Sequence, residues 1–187
     1  LIMKKRCEWA KIEPNTTYHD EEWGIPQHND KKLFEFLILE GAQAGLSWST
    51  ILNRRDGYRV AFSNFDAVKV SKYTQNHVNK LIQNKAIIRN KLKINSAINN
   101  ARQFIKIQKE FGSFDEYLWG FVDHKPIKNK FKKYSDLPSY TTISKKLSQD
   151  LKKRGFNFVG PTICYALMQA VGMVNDHTID CFRYSKL

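Results

Sequence analysis

The chain has 187 residues, with 31 lysines and arginines against 18 aspartates and glutamates, a formal charge of +13. That length suits one domain, at most with a small lobe, and excludes a large multidomain assembly. Three cysteines, Cys7, Cys164 and Cys181, are too few for a disulfide scaffold and point to a reducing, cytoplasmic compartment.

No apolar run reaches the roughly 18 residues of a membrane span, and Leu1 to Arg6 lack the apolar core of a signal peptide, so no membrane partner is expected. The positive charge favours a polyanion, with a solvated lysine-rich surface as the alternative. It is clustered: Lys125 to Lys133 holds five lysines, and Lys145 to Arg154 holds five more cations. Leu1 and Ile2 stand ahead of Met3 and read as an extension before the natural start.

In chain order, Asp30 is a plausible N-cap for a helix over 31–41, where Leu33, Phe34, Leu37, Ile38 and Gly41 keep helical spacing. Residues 76–107 hold at least two helices, marked by Val78, Leu81 and Ile82, by Ala86, Ile87 and Ile88, and by Ile94, Ala97, Ile98, Ala101 and Ile105. Phe114 to Val122 reads as another short helix, and Asp123 to Pro138 as a proline- and lysine-marked loop. Ser144 is a candidate cap for Lys145 to Arg154, which stops at Gly155; Gly160-Pro161 opens a last helix to about Val171, with Gly172 as its stop. Alternating strand patterns are scarce, so the predicted fold is all-α. The pair of helices at about 145–171 forms a hairpin whose turn, Gly155 to Gly160, exposes backbone N–H groups at a helix start. That suits one phosphate without reading sequence, with Lys152, Lys153 and Arg154 adding charge; an ordinary αα-hairpin is the plain alternative.

Cys7 and His19 near the start, with His177 and Cys181 near the end, make a two-thiolate, two-imidazole set of the kind Zn²⁺ favours. The four-residue step from His177 to Cys181 would set both on one side of a helical turn. The alternative is a buried cysteine, a free cysteine and two surface histidines. Cys164, in an apolar run, reads as core.

Taken together, Tyr18 to Gly24 (YHDEEWG), Leu39 to Trp48 (LEGAQAGLSW), Lys153 to Gly160 (KRGFNFVG), Cys164-Tyr165 and Asn175-Asp176-His177 resemble the 3-methyladenine DNA glycosylase I family, from Arg6 to Cys181. The resemblance implies a single helix-hairpin-helix glycosylase domain over 1–187, with one structural zinc on Cys7, His19, His177 and Cys181 joining the two termini. It implies excision of 3-methyladenine from alkylated double-stranded DNA, with the free base as product, by a monomer in the bacterial cytoplasm that meets the nucleoid through DNA. The wider superfamily carries a catalytic Asp where Asn175 stands, with Asp176 next to it; lyase-competent members carry a Lys where Pro161 and Thr162 stand. These departures imply hydrolysis without that aspartate and without a Schiff-base step.

A base inside a duplex is reached by flipping it out. On this reading Leu46, freed by Gly45, plugs the vacated stack, and Gln43 probes the gap; ordinary core is the alternative for Leu46. Tyr18 and Trp48 form an aromatic pocket for a cationic base, with Trp9 and Trp23 as either pocket or core. Glu40, ending an apolar helix, is the carboxylate expected to recognise the base or act in catalysis, a solvated helix end being its alternative. Lys153, Arg154, Gly155, Val159 and Gly160 would grip the backbone. The run Asp20-Glu21-Glu22 reads as a solvated loop. Two rivals stand beside this reading. A zinc hydrolase needs an open metal position, which four protein ligands would close. A non-catalytic DNA binder has no need of an aromatic cavity containing a carboxylate.

Overall fold

The computed structural model describes residues 4–187; the reading of Leu1 and Ile2 falls outside them. Ten α-helices occupy most of the described chain: α1 (Asn15–Glu21), α2 (Asp30–Gln43), α3 (Trp48–Leu52), α4 (Arg55–Ala61), α5 (Ala67–Ser71), α6 (Gln75–Leu81), α7 (Lys91–Phe111), α8 (Phe114–Trp119), α9 (Thr142–Lys153) and α10 (Pro161–Ala170). The all-α expectation needs one correction. Two-residue strands β1 (Ile127–Lys128) and β2 (Val174–Asn175) pair in parallel, Ile127 opposite Val174. Their backbone lies outside any helix, and the Ile127 and Asn129 N–H groups donate to the carbonyls of Met173 and Asn175.

Helix α2 is the axis. Leu33, Phe34, Phe36, Leu37 and Leu39 are all buried, so its apolar surface goes nearly all round, as a central helix requires. It packs on α10, α7, α3 and α8. Phe104 of α7 meets Phe34 at 5.0 Å and Phe114 of α8 at 4.2 Å between ring centroids, which joins three helices through one aromatic cluster.

Caps set the boundaries and correct two expectations. Asn29, not Asp30, caps α2, accepting from Lys32 N at 3.1 Å. The Asp30 carboxylate instead accepts from the N–H groups of Phe114 (2.9 Å) and Asp115 (2.8 Å), tying the starts of α2 and α8 together. Thr141, not Ser144, caps α9; Ser144 completes the reciprocal pair by accepting from Thr141 N at 2.8 Å. Ala86, Ile87 and Ile88, expected in a helix, lie in an irregular connection between α6 and α7. Ile87 is buried there all the same, so its apolarity marks core rather than helix.

The hairpin of α9 and α10 rests on α7. Asn100, buried, accepts from the Asn157 N–H and donates to the Asn157 carbonyl, both at 2.9 Å. Asn99 donates to the Gly155 carbonyl at 2.7 Å. Gly155 has φ +90°, a backbone that residues with a Cβ rarely adopt. Asn100→Ala removes both bonds to the turn and should cost about 1–3 kcal/mol, read as a lower denaturant midpoint with unchanged slope.

Candidate active site and metal centre

Cys7, His19, His177 and Cys181 are buried, and their donor atoms all lie within 4.8 Å of one another. His19 Nε2 stands 3.2 Å from His177 Nδ1 and 3.4 Å from Cys181 Sγ, while His177 Nδ1 is 3.6 Å from each sulfur. A zinc tetrahedron has edges of roughly 3.3 Å between nitrogens and about 3.8 Å between sulfurs, given its bond lengths. The four distances given lie close to such edges.

The remaining ring nitrogens are held from behind. His19 Nδ1–H donates to Asp20 Oδ1 at 2.9 Å, and His177 Nε2–H to the Trp23 carbonyl at 3.1 Å. Both partners fix the tautomer that turns a lone pair toward the sulfurs. The hydrogen bond from Cys7 holds the Cys181 thiol low and Cys7 correspondingly high, so this pair carries a thiolate.

Two expectations change here. The step from His177 to Cys181 is an irregular turn, closed by Cys181 N donating to the Thr178 carbonyl at 2.8 Å, and not a helical turn. The run Asp20-Glu21-Glu22 is not a solvated loop: Asp20 and Glu21 end α1, and of the three only Glu21 is exposed. Asp20 pairs with Arg6 at 2.8 Å as well as with His19, and Glu22 takes both terminal nitrogens of Arg55 at 2.6 Å. Arg55 in turn donates Nε to the buried Glu35 at 2.7 Å, which links α4, α2 and the end of α1.

Beside the metal cluster lies a cavity of about 640 Å³. Trp9, Tyr18, Trp23, Glu40, Gln43 and Trp48 line it; Tyr18, Glu40 and Trp48 were expected there, Trp9 and Trp23 as either pocket or core, and Gln43 at the DNA gap instead. Tyr18 and Trp48 lie 5.4 Å apart between centroids. Trp9 and Trp23 are both wall and spacer: Trp9 stands edge-on to His19, and Trp23 packs against His177 at 4.6 Å.

Glu40 is only 4% exposed, at the end of α2, and makes no hydrogen bond among the described residues. Burial alone pushes its carboxyl up to about 8. Tyr18 Oη, Trp48 Nε1 and Asn15 Oδ1 are likewise buried without a partner. Unpaired polar atoms are costly in an interior. Gathered on one cavity, they describe a surface shaped for a polar guest.

From α2 the chain turns at Gly45, φ +77°, and presents Leu46 at 40% exposure. This turn is rigidly held: Lys93 Nζ donates to the carbonyls of Ala42 (2.8 Å) and Ala44 (2.6 Å). Gly41 faces Phe158, so the Glu40 end of α2 abuts the hairpin directly.

At the hairpin the sequence reading is corrected. Arg154 is not free for a phosphate; it donates to Asp150 at 2.7 Å and to Glu110 at 2.7 Å, and it lies over the rings of Phe111 and Tyr117. The Gly155 N–H is already given to the Lys152 carbonyl at 2.9 Å. Val159 is buried as a whole residue, and its carbonyl accepts from Ser148 Oγ at 2.6 Å. The N–H groups of Val159 and Gly160 have no acceptor among the described residues, and the α10 start adds the N–H of Thr162. Lys153 is exposed on the last turn of α9.

Comparison with known proteins now decides the family. The methyladenine glycosylase family model matches residues 9–184. The chain is 46% identical to DNA-3-methyladenine glycosylase 1 of Escherichia coli (strain K12), over 96% of this chain and 97% of that one. A crystal structure of 3-methyladenine DNA glycosylase I superposes with a TM-score of 0.93 at 44% identity, covering 95% of this chain and 98% of the other. A single-residue variant of 3-methyladenine DNA glycosylase I, solved in complex with 3-methyladenine, superposes at 0.92 with 34% identity, over 95% and 96%. The chain belongs to the methyladenine glycosylase family.

Several cavity residues of this family member were not assigned to the cavity from its sequence. Thr162, Tyr165 and Gln169 come from α10, and Tyr134, Leu137 and Pro138 from the connection before α9. Asp176, buried, accepts from Tyr165 Oη, from Gln169 Nε2 at 2.9 Å and from Asn129 Nδ2 at 2.7 Å, so it is fully engaged in the wall behind the cavity. Asn175, which stands in the superfamily's aspartate place, accepts from His177 N at 3.2 Å and supports the metal cluster. No helix of the described residues is long and apolar enough to cross a membrane.

Burial holds a proton on Glu40 that the unfolded chain releases near its ordinary value of 4.5. The folded state therefore binds more protons between pH 4.5 and about 8, and stability falls as pH rises through that window, by up to about 1.4 kcal/mol per unit. Glu40→Gln should flatten that decline, measured as unfolding free energy against pH.

Proposed function

We propose that this enzyme extrudes 3-methyladenine from alkylated double-stranded DNA and hydrolyses its glycosidic bond, leaving the abasic strand unbroken. The observation that carries the proposal is Glu40: a buried carboxyl without a partner, facing an aromatic cavity beside unpartnered polar groups of Tyr18 and Trp48. Alkylation at N3 makes the nucleoside's adenine cationic. Faces of Tyr18, Trp48 and Trp9 attract a cation, and Glu40, ionised as the cation arrives, accepts from the amino edge of the base.

As the bond breaks, its electron pair passes to the base and cancels the ring's positive charge, so the leaving group needs no proton. Water adds to the sugar carbon and releases a proton. Chemistry this favourable asks mainly for extrusion, orientation and a dry pocket. Leu46 fills the vacated stack and Gln43 tests the gap. The free N–H groups of Val159, Gly160 and Thr162 take a phosphate, with Lys153 supplying charge; Gly155 serves by its turn geometry. No lysine stands at Pro161 and Thr162, so no Schiff base forms there. The enzyme works as a monomeric single domain in the cytoplasm, reaching the nucleoid through its DNA.

The cluster of Cys7, His19, His177 and Cys181 holds one zinc ion, which supplies folding energy and fixes the two chain ends together. All four donors being protein atoms, this ion keeps no position for water, which speaks against a zinc hydrolase. A plain DNA binder is disfavoured by the enclosed carboxylate. Cys181→Ala should lower zinc content below one per chain and reduce the melting temperature. Stoichiometric zinc at native stability would refute the ligand set.

The functional test is incubation with methylated duplex DNA, with identification of every released base and of strand integrity. Wild-type protein should release 3-methyladenine from unbroken strands, with kcat/KM rising with pH toward about 8 as Glu40 ionises. In Glu40→Gln that rise should vanish and excision should slow at least several-fold. Release of another base instead, or none, would defeat the assignment.

A further inference from the structure

The lysine-rich connection between β1 and α9 has no role in the function as derived. It begins beside the metal segment: Asn129 N donates to the Asn175 carbonyl at 3.2 Å, and the Phe131 carbonyl accepts from Ile179 N at 2.9 Å. It then makes a tight turn, in which one oxygen of Asp136 accepts from the N–H groups of both Lys132 and Lys133 at 3.2 Å. That carboxylate organises backbone and pairs with neither ammonium. Lys130, Lys132 and Lys133 are exposed and form no salt bridge among the described residues. Lys128 differs, because its ammonium donates to the Leu187 carbonyl at 2.8 Å.

The same connection is a wall of the base cavity. Tyr134 lines it while remaining 51% exposed, which sets the ring at the rim, and Leu137 and Pro138 line it as well. Three lysines without a salt bridge therefore stand within four residues of a ring at the mouth of a pocket that also borders the hairpin helix through Thr162. The hairpin, meanwhile, has lost Arg154 to Glu110 and Asp150. A nucleotide swung into the cavity brings its own phosphates past this rim.

We propose that Lys130 to Tyr134 is a second DNA-contacting element, resting on the glycosylase reading of the cavity: Lys130, Lys132 and Lys133 neutralise phosphates flanking the extruded nucleotide, and Tyr134 packs on the nucleotide at the cavity mouth. Lysine ammoniums on flexible stems suit phosphates of any sequence. The aromatic ring adds stacking that is equally tolerant of sequence.

The test uses the full chain, a duplex bearing a stable abasic-site analogue, and free 3-methyladenine. Lys130→Gln/Lys132→Gln/Lys133→Gln should flatten the log affinity against log salt slope by roughly two to three units, at about 0.9 per phosphate. The corresponding triple arginine variant should restore it. Lys69→Gln/Lys72→Gln, two exposed lysines on and just after α5, is the charge control and should leave the slope unchanged. Tyr134→Ala should weaken duplex binding roughly five- to a hundred-fold, more than it weakens binding of the free base, and Tyr134→Phe should recover it. An unaltered slope in the triple glutamine variant, at native melting temperature, overturns the lysine contacts. Duplex affinity that is unchanged in Tyr134→Ala, or that falls only in step with free-base affinity, overturns the rim contact. If wild-type protein releases no base while the slope still responds to the loop lysines, the DNA contact stands and the glycosylase reading falls; normal release with an unresponsive slope has the opposite meaning.

Discussion

The approach of His19 to His177 is the constraint on which the site depends. Their facing nitrogens stand 3.2 Å apart although 158 residues separate them in the chain. Each ring is fixed by a hydrogen bond on its far side, so neither can turn away without breaking two contacts. Around this pair Trp9 and Trp23 are wedged edge-on, and these are the rings that form the neighbouring wall of the cavity. The cluster of Cys7, His19, His177 and Cys181 therefore stands as the back support of an aromatic wall.

A second support reaches the cavity from the other direction. Glu22 and Glu35 hold Arg55 between α1 and α2, and Asp20, next to His19, holds Arg6. Such partly buried pairs are weak sources of net stability but costly to half-remove, since one charge is then left alone. Their position beneath Tyr18 and Glu40 is consistent with a role in keeping α1 and α2 in register. Asp176 does the same for α10 and β1, taking three donors from Tyr165, Gln169 and Asn129. Helices that carry cavity residues are thus joined behind the cavity by charge, while its face toward a guest is left with unpaired groups.

Much of this was legible in the sequence, for physical reasons that differ between elements. Helix α2 was visible because Leu33, Phe34, Leu37, Ile38 and Gly41 keep helical spacing, and the hairpin because glycine and proline bracket its turn. Its cap was misplaced by one residue, since Asp30 and Asn29 are both competent and only the distant N–H groups of α8 decide between them. The quartet of Cys7, His19, His177 and Cys181 was legible as chemistry, though not as geometry. Arg154 was misread because local sequence shows charge and hides its partner: Asp150, one helical turn back, was in view, whereas Glu110 arrives from α7. The wall made by Tyr134, Leu137 and Pro138 was invisible, because an irregular connection leaves no periodic signal and its meaning depends on where the ends of β1 and α9 are anchored.

The solitude of Glu40 has a consequence for selectivity. In a genome the damaged base competes with an overwhelming excess of ordinary purines of almost the same shape, and shape alone discriminates poorly between molecules that differ by one methyl group. With its carboxyl raised to about 8, Glu40 greets an uncharged visitor as an uncharged acid. Under the proposed function, a normal adenine meets no ion to attract it, and only a cation makes the loss of the proton worthwhile. The pocket then behaves as a charge filter that arms itself on contact with the lesion. It sorts bases by an electrostatic property that alkylation creates and that every undamaged base lacks.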